Sequence, residues 1–185
     1  MAEEILICVD VETSGPIPGK YAMNSIGACL VMDISQNFYI ELKPDRDEVQ
    51  PEALAISGLH MEVLREHGTA PAEAMKAFAQ WIASVAPAPA RPVFVAFNTP
   101  FDWMFINDYF HRYLGENPFG HSALDIKAYY MGQFGTRWED TSMQRISSFF
   151  LDERKLTHNA LQDAQDQAII FQKILQTSPR RNPNE

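Results

Sequence analysis

An apolar run that ends in two acids constrains the fold of this chain more than any other feature. Residues 5–9 are all apolar or cysteine, and the run leads into Asp10-Val11-Glu12, followed by Thr-Ser-Gly. Such a run, ended by a turn-forming segment, is typical of a central strand that is covered on both faces. Because side chains alternate faces along a strand, we expect Asp10 and Glu12 to project from the same side. The two carboxylates are then either hydrated at the tip of the strand or compensated by cations, protons or hydrogen-bond donors.

The other apolar segments predict a sheet with helices on its faces. Residues 25–32 and 38–42 have the composition of two strands joined by a short polar connector, which indicates a hairpin beside the first strand. Residues 93–97 are a further predicted strand, and residues 123–126 are expected to follow as a parallel strand after a helical crossover. Helices are predicted at 51–57, 69–85, 100–110, 142–151 and 159–176. This order predicts an α/β fold with a mixed sheet.

Composition points to one globular domain. The chain has 185 residues, of which 46% are hydrophobic and 21% charged, and this is enough for a single packed core. We expect the domain to span residues 1–176 and to be followed by a frayed tail at 177–185. No segment approaches the roughly twenty apolar residues of a membrane span and no leader pattern is present, so a soluble cytoplasmic protein is expected. Cys8 and Cys29 lie in apolar runs and are predicted to be buried, reduced thiols.

The net charge at first argues against a nucleic-acid partner. The formal charge is -9 at pH 7 and the pI is about 5.0, whereas proteins that bind nucleic acid usually present a basic face. That objection weakens if part of the acidity belongs to a metal site. Four carboxylates that hold two divalent cations would be neutral where the substrate binds, so the overall charge does not decide the question.

Three more polar residues lie at the ends of predicted elements. Asp102 lies in the first turn of the helix that follows strand 93–97, where an acid ordinarily compensates the helix dipole. His158 immediately precedes the last predicted helix, and Asp163 lies within the first two turns of that helix. Taken singly, a histidine near a helix start and a surface aspartate are ordinary structural features.

Taken together, three segments resemble the motifs of the DEDDh 3′→5′ exonucleases, the group that includes proofreading subunits of replicative polymerases, oligoribonuclease and RNase T. The segment Asp10-Val11-Glu12-Thr13 resembles the first motif and Asn98-Thr99-Pro100-Phe101-Asp102 the second. The third is similar to His158-Asn159-Ala160-Leu161-Gln162-Asp163-Ala164, whose histidine matches the histidine branch of the family rather than the tyrosine branch. The three segments occur in the family's order, and the resemblance spans roughly residues 4–176.

The resemblance implies a ribonuclease H-like α/β fold with a mixed five-stranded sheet. It also implies that Asp10, Glu12, Asp102 and Asp163 bind two divalent ions, Mg²⁺ or Mn²⁺, with Asp10 bridging them, and that His158 is the general base. Hard oxygen ligands suit these ions, and an unperturbed histidine pKa of about 6.5 suits a general base at neutral pH. The implied reaction is two-metal hydrolysis of phosphodiesters at the 3′ end of single-stranded DNA or RNA, which releases nucleoside 5′-monophosphates.

Two alternatives keep this scaffold and change its role. One is an RNA-specific trimming exoribonuclease, although no residue indicates a contact with the 2′-hydroxyl group. The other is a catalytically silent module that binds nucleic acid or a protein partner, although all five catalytic positions of the family are filled. Homodimerisation is known among several relatives, so the resemblance also implies that two copies of this chain can pair.

Further residues are candidates for substrate contact. In relatives, the residue after the first-motif Glu and a loop that corresponds to the region of Leu59 and Met61 approach the terminal nucleotide. Thr13, Leu59 and Met61 are therefore candidates, with Leu59 or Met61 wedging against the last base, and core packing explains the latter two equally well. Asn98 either hydrogen-bonds the substrate or only caps the helix that follows it. Asp125, at the end of the fifth predicted strand, is expected to support the metal ligands from behind.

The segment Phe134-Gly135-Thr136-Arg137-Trp138 combines aromatic residues with a cation in a loop that contains glycine. A loop of this composition can stack on single-stranded nucleic acid and steer its backbone. Aromatic residues are more often buried, and burial is the simpler interpretation of this segment.

Overall fold

The computed structural model describes residues 2–151 and 158–177. Within them, the strands are β1 (Glu4–Thr13), β2 (Met23–Leu30), β3 (Asn37–Glu41), β4 (Arg91–Ala96) and β5 (Ala123–Asp125). The helices are α1 (Pro51–Ser57), α2 (Met61–His67), α3 (Pro71–Val85), α4 (Pro100–Leu114), α5 (Ile126–Phe134), α6 (Met143–Phe150) and α7 (Ala160–Gln176). A short 3₁₀ turn covers Trp138–Asp140.

The strands form one mixed sheet in the order β3-β2-β1-β4-β5. The first three strands are antiparallel neighbours, as the predicted hairpin requires, and β4 and β5 run parallel to β1. The fold is ribonuclease H-like, and the predicted mixed five-stranded sheet is confirmed. β1 is the central strand, so the acids at its carboxyl end lie in the middle of the sheet edge.

Each face of the sheet has its own apolar core. One core packs α3 and α4 against Val9, Val11 and the same face of β2 and β4. The other packs α5, α6 and α7 against Cys8 and Cys29, which are both buried and free, as predicted. Because Val9 and Val11 belong to the first core and Cys8 to the second, Asp10 and Glu12 share the face that α7 covers.

Two helices and one apolar residue differ from the sequence-based expectations. The sequence predicts a loop around Leu59 and Met61, but Met61 is the first residue of α2, a seven-residue helix that has no side-chain cap. Helix α5 has no counterpart among the predicted helices, because its apolar residues surround the helix instead of forming one stripe. Periodicity places Leu175 on the buried side of the last helix, but this residue is 38% exposed, whereas the adjacent Ile174 is fully buried in the core.

The ends of the described chain bear on the predicted domain boundary. Thr177 is the only residue of the predicted tail at 177–185 that the structure describes, and its backbone N–H caps α7 by donating to Lys173 and Ile174 carbonyl oxygens. The rest of that tail lies outside the described residues. Among the helices that are described, none has both the length and the apolar character needed to cross a bilayer.

A glycine lets α7 approach the sheet closely. Gly27 on β2 is the cross-strand partner of Asp10, and a Cβ atom at position 27 would overlap the backbone of Ala160 and Leu161 in the first turn of α7. No side chain larger than hydrogen fits between β2 and this turn. The height of α7 above the sheet, and with it the position of His158 and Asp163, therefore depends on Gly27.

We expect Gly27→Ala to disturb both stability and activity. Overpacking of a tight contact between backbones costs about 1–3 kcal/mol, and relief of the overlap would displace the start of α7. Thermal unfolding and nuclease activity measured on the same preparations test this. Gly132→Ala in α5 is the matched control, since nothing lies within 4 Å of the place that its new methyl group would take and alanine favours a helix. A Gly27→Ala protein with wild-type melting temperature and activity would contradict the close approach.

Candidate active site

Side chains from four separate segments line one cavity of about 270 Å³ at the carboxyl ends of β1 and β4. All five residues that the motifs predicted as catalytic line it: Asp10, Glu12, Asp102, His158 and Asp163. Asp10 and Glu12 come from the same face of β1, as the alternation of strand side chains predicts. The structure therefore brings together the predicted cluster.

Asp102 reaches the end of β1 because β4 turns away before β1 ends. The parallel pairing of the two strands stops at Cys8 and Val95, and the chain after β4 begins α4. The backbone N–H of Val11 then lacks a strand partner and donates to Asp102 Oδ1 at 3.1 Å. This hydrogen bond holds the buried carboxylate of Asp102, which is 4% exposed, beside Asp10 and Glu12.

The start of α7 supplies the remaining two residues. Asn159 caps the helix by accepting a hydrogen bond from the backbone N–H of Gln162 at 3.2 Å, so α7 begins directly after it. His158 is exposed and precedes this cap, whereas Asp163 is buried on the side that faces the sheet. Potential ligand atoms of Glu12, His158 and Asp163 all lie within 4.8 Å of one another.

The crowding of carboxylates raises their pKa values. Burial raises the pKa of Asp10 well above its ordinary value, and the nearby carboxylates of Asp102, Glu12 and Asp163 add to this. Burial, followed by repulsion from Asp163, raises the pKa of Glu12 to about 7. Burial also raises the pKa of Asp102 to about 8, although its hydrogen bond from Val11 acts in the opposite direction. Without a compensating cation, these ionised carboxylates destabilise one another.

The donor set fits hard divalent cations. Mg²⁺ and Mn²⁺ prefer carboxylate oxygen ligands, and the cavity offers four carboxylates together with space for water or phosphate oxygens. The raised pKa values of Asp10, Glu12 and Asp102 follow from the same crowding, and a bound cation would favour the ionised forms that the protein alone disfavours.

The metal-free protein is expected to lose stability as the pH rises. The folded-state pKa of Asp102 is raised from 3.8 to about 8, so the folded protein holds a proton that the unfolded chain releases between those values. Asp102→Asn removes this cost while keeping an oxygen for the Val11 N–H. We expect it to raise the melting temperature of the chelator-treated protein by roughly 5 °C near pH 8, and by less as the pH approaches 4.

Thermal unfolding in chelator across this pH range tests the expectation. Glu116→Gln, which removes an exposed carboxylate beyond the end of α4, is the control and should leave the curve unchanged. If Asp102→Asn lowered the melting temperature near pH 8, the carboxylate would be stabilising and the electrostatic account of the cavity would be wrong.

Gln167 is a residue of the cavity that the sequence analysis missed. Its amide Nε2 donates to Asp10 Oδ1 at 2.7 Å, and its Oε1 accepts from the backbone N–H of Phe97 at 2.8 Å. Gln167 thus joins α7 to the ends of both β1 and β4. It lies four residues after Asp163, on the same face of the helix, and this spacing is the signal that could have identified it.

The turn between β4 and α4 is held by a second acid. Asp125 accepts a hydrogen bond from the backbone N–H of Thr99 at 2.7 Å and also caps α5 through the N–H of Ala128. It thereby supports the segment that carries Asn98 and Asp102 without lining the cavity. Asn98 does not cap α4, so that alternative is wrong; the residue before the helix is Thr99.

Backbone conformation also marks the site. Asn98 and His158 have φ values of 65° and 54°, and they are the non-glycine residues with positive φ in the described part of the chain. Both line the cavity. Strained backbone of this kind costs free energy and tends to persist where function requires it.

The other predicted contacts lie outside this cavity. Thr13 is buried at the end of β1, and its hydroxyl donates to the carbonyl oxygen of Gly15 at 2.8 Å. Leu59 and Met61 line a separate cleft of about 540 Å³ between α1 and α2. Met61 is 7% exposed, which agrees with core packing, whereas Leu59 is half-buried. The structure therefore does not gather Thr13, Leu59 and Met61 with the acids.

A ribonuclease H-like sheet with acids gathered at the end of its central strand is the architecture of a class of nucleases, and comparisons with known proteins narrow that class. The RNase_T family model, described as exonuclease, matches residues 7–171. The 3′-5′ DNA exonuclease Cap18 of Escherichia coli is 46% identical over 179 residues, which cover 97% of this chain and 96% of Cap18. The chain belongs to the DEDDh 3′→5′ exonuclease family and is an exonuclease. DEDDh exonucleases use divalent metal ions.

Solved structures share the fold at low sequence identity. The nuclease domain of 3′hExo, a DEDDh family member bound to rAMP, superposes with a TM-score of 0.80 at 14% identity and covers 98% of this chain and 96% of that domain. Exonuclease I of E. coli in complex with a dA16 oligonucleotide gives a TM-score of 0.72 at 20% identity. That match covers 97% of this chain but only 42% of Exonuclease I. At these identities the likeness concerns the fold alone.

Proposed function

We propose that this exonuclease removes nucleoside 5′-monophosphates one at a time from the 3′ end of single-stranded DNA. In this proposal Asp10, Glu12, Asp102 and Asp163 hold two divalent ions and His158 is the general base. The observation that carries the proposal is the convergence of these five side chains on one cavity. They come from three parts of the chain that are far apart in sequence, so chance is a poor explanation for their meeting at one edge of the sheet.

The four acids that would hold the ions come from three elements, β1, α4 and α7. Asp10 and Glu12 are fixed by the central strand, Asp102 by its hydrogen bond to the Val11 N–H, and Asp163 by α7. The chemistry that a pair of divalent ions supplies when bound is activation of water and neutralisation of the phosphoryl and leaving oxygens. Asp10 is close enough to Asp102, Glu12 and Asp163 for their charges to raise its pKa, so it would hold the ions together with all three.

His158 is proposed to take the proton of the attacking water. Its side chain is exposed at the mouth of the cavity and lies near Glu12 and Asp163, where an approaching phosphodiester would meet it. A neutral imidazole at this position accepts the proton as the phosphorus–oxygen bond forms, and the bond to the 3′-oxygen of the shortened strand breaks.

Gln167 is proposed to position Asp10. Replacement by leucine keeps the approximate volume but removes the hydrogen bonds to Asp10 Oδ1 and from the Phe97 N–H. Mutation of a residue that hydrogen-bonds to a metal ligand typically lowers metal affinity or activity by about 10–100-fold. We therefore expect Gln167→Leu to lower Mn²⁺ affinity and kcat by about that factor.

The control for Gln167→Leu is on the same helix. Gln165 also donates from its amide to a distant group, the carbonyl oxygen of Ile34 at 3.1 Å, but it does not line the cavity. Gln165→Leu is therefore expected to leave Mn²⁺ affinity unchanged. Equal losses of Mn²⁺ affinity in both variants would indicate a general effect on α7 and contradict the positioning role.

DNA is the proposed substrate because Cap18, the relative that is 46% identical, is a DNA exonuclease by name. The alternatives of RNA-specific trimming and of a catalytically silent binding module are not favoured. The proposed contacts to the terminal nucleotide stay Thr13, Asn98, Leu59 and Met61. Of the last two, Leu59 is better placed to stack on a base, because it is more exposed at the cleft than Met61. The domain boundary at residue 176 and pairing of two copies of the chain also stay predictions.

Matched DNA and RNA oligonucleotides of one sequence, each labelled at its 5′ end, test the proposed function. With Mn²⁺ or Mg²⁺ we expect a ladder that shortens by one nucleotide from the 3′ end, faster on DNA, and no products with chelator. Circular single-stranded DNA is the control for internal cleavage and should stay intact. Products that start from the 5′ end, or hydrolysis in chelator, would contradict the proposal; faster hydrolysis of RNA would overturn the choice of DNA.

A further inference from the structure

A cation and an exposed indole ring form a pair beside the cavity. Lys127, in the first turn of α5, places its Nζ 4.2 Å from the ring centroid of Trp138. The same Nζ donates to Asn98 Oδ1 at 3.2 Å. Trp138 begins the 3₁₀ turn after α5 and is 53% exposed. The prediction that the aromatic residues of this segment are buried is wrong for Trp138.

A hydrogen bond from Lys127, together with the short chain distance from Trp138 to Met143, places this pair beside the cavity. Asn98, which accepts the hydrogen bond from Lys127, lines the cavity itself. Met143, five residues after Trp138 along the chain, lines it as well. A strand whose 3′ end occupies the cavity can therefore leave it across Lys127 and Trp138.

The charge of Lys127 is available to a ligand. Its neighbours Arg137 and Arg145 are ion-paired with Glu139 and Asp140, in the exposed turn that follows α5. Lys127, in contrast, has no ion pair with any acid in residues 2–151 and 158–177, and its ammonium group contacts a neutral amide and a ring face. An ammonium group held in this way keeps donors that can meet a phosphate oxygen.

We propose that Lys127 and Trp138 form a binding subsite for the nucleotides immediately upstream of the scissile phosphate. The subsite takes single-stranded nucleic acid, with a base stacked on the indole of Trp138 and a backbone phosphate contacting Lys127. This inference rests on the proposed function, because it assumes that the terminal nucleotide occupies the acidic cavity. It extends that function to the recognition of the strand.

Base stacking and charge both favour a subsite formed by Trp138 and Lys127 beside the cavity. Every base has a flat apolar face, so stacking on an indole holds a strand without selecting its sequence. The chain has a net charge of -9, and the proposed ions would neutralise only the four carboxylates of the cavity, so a strand gains from cationic contacts outside it. Exposure alone does not indicate a subsite: Phe149 is 74% exposed, but it neither lines the cavity nor carries a cation over its ring among the described residues.

Two substrates distinguish the subsite from the catalytic centre. A long single-stranded oligonucleotide spans both, whereas the p-nitrophenyl ester of thymidine 5′-monophosphate offers one nucleotide and no upstream strand. We expect Trp138→Ala to raise KM for the oligonucleotide about five- to a hundredfold, with a smaller change for Trp138→Phe, and to leave kcat and KM for the ester unchanged.

Lys127→Ala should change how KM for the oligonucleotide depends on salt concentration. Removing one phosphate contact should reduce the slope of log KM against log salt concentration by about 0.7 for the oligonucleotide, and Trp138→Ala should leave that slope unchanged. Lys76→Ala, an exposed lysine of α3 on the opposite face of the sheet, and Phe149→Ala are the controls and should behave as wild type with both substrates.

The outcomes separate this inference from the proposed function. Equal losses on both substrates would mean that Lys127 and Trp138 act by shaping Asn98 and the cavity, and would overturn the subsite. Unchanged oligonucleotide KM in Trp138→Ala and Lys127→Ala would overturn it as well. If the wild-type protein hydrolysed neither substrate with Mn²⁺, the proposed function itself would fail.

Discussion

Asp163→Asn is expected to lower kcat on single-stranded DNA by on the order of a thousandfold or more, with little change in fold. Asparagine has the same shape as aspartate, but it is neutral and offers one oxygen instead of two. Asp163 is buried in the cavity, and its carboxylate oxygen lies within 4.8 Å of a carboxylate oxygen of Glu12 and a ring nitrogen of His158. Loss of this carboxylate therefore removes a proposed metal ligand while the helix that carries it remains folded.

The measurement is single-turnover hydrolysis of a labelled oligonucleotide with saturating Mn²⁺, together with thermal unfolding of each protein. Asp47→Asn is the control, because its carboxylate is 94% exposed and forms only a surface ion pair with Arg65, which contributes little to stability. Asp163→Asn with more than a tenth of wild-type activity at saturating Mn²⁺ would contradict the assignment of Asp163 as a ligand.

His158→Ala is expected to lower kcat by about 10²–10⁴-fold, the usual contribution of a general base. The loss should appear in kcat at saturating Mn²⁺, because the variant lacks the group that is proposed to take the proton of the attacking water. Since methyl replaces imidazole in an exposed position, stability should change little. A rate equal to wild type across neutral pH would contradict the role of His158.

Metal affinity distinguishes the two roles that the position of His158 allows. A ring nitrogen of His158 lies within 4.8 Å of carboxylate oxygens of Glu12 and Asp163. The imidazole could therefore bind a cation together with these two acids instead of accepting a proton. A general base predicts unchanged Mn²⁺ affinity in His158→Ala and partial recovery of activity with added imidazole. His121→Ala, which removes an exposed histidine between α4 and β5, is the control and should match wild type in rate.

Much of the scaffold could be predicted from periodicity alone. The alternation of apolar residues around Asp10 and Glu12 is enough to place both carboxylates on one face, because the period of a strand is fixed by its geometry. The hairpin, the parallel return of β5 and the last helix follow from similar patterns. Convergence of Asp102, His158 and Asp163 on those acids does not follow from such patterns. It was expected only through the resemblance to a family, since singly these residues are ordinary.

Features that depend on side chains distant in sequence could not be predicted. Asp45 accepts hydrogen bonds from the hydroxyl groups of Tyr109 at 2.6 Å and Tyr113 at 2.8 Å, and it is also paired with Arg112. These partners lie on α4, more than sixty residues away along the chain. They lower the pKa of Asp45 although burial acts to raise it. Nothing local to Asp45 in the sequence indicates that this network anchors the segment after β3.

Helices α2 and α5 were missed for a different reason. Each is short, and α5 has no one-sided apolar stripe, so their stability comes mainly from tertiary packing. The consequence for function is specific. Lys127 lies in the first turn of α5, so its approach to Asn98 and Trp138 could not be predicted until that helix was known.

Calorimetric titration with Mn²⁺ in the presence of thymidine 5′-monophosphate tests the central claim most directly. The claim is that the gathered carboxylates form a site for a pair of divalent ions, so wild-type protein should bind about two ions per chain. Asp10→Asn, which removes the proposed shared ligand, should lose saturable binding of both. Saturable Mn²⁺ binding that is the same in wild type and Asp10→Asn, or absent from the wild type, would contradict the claim.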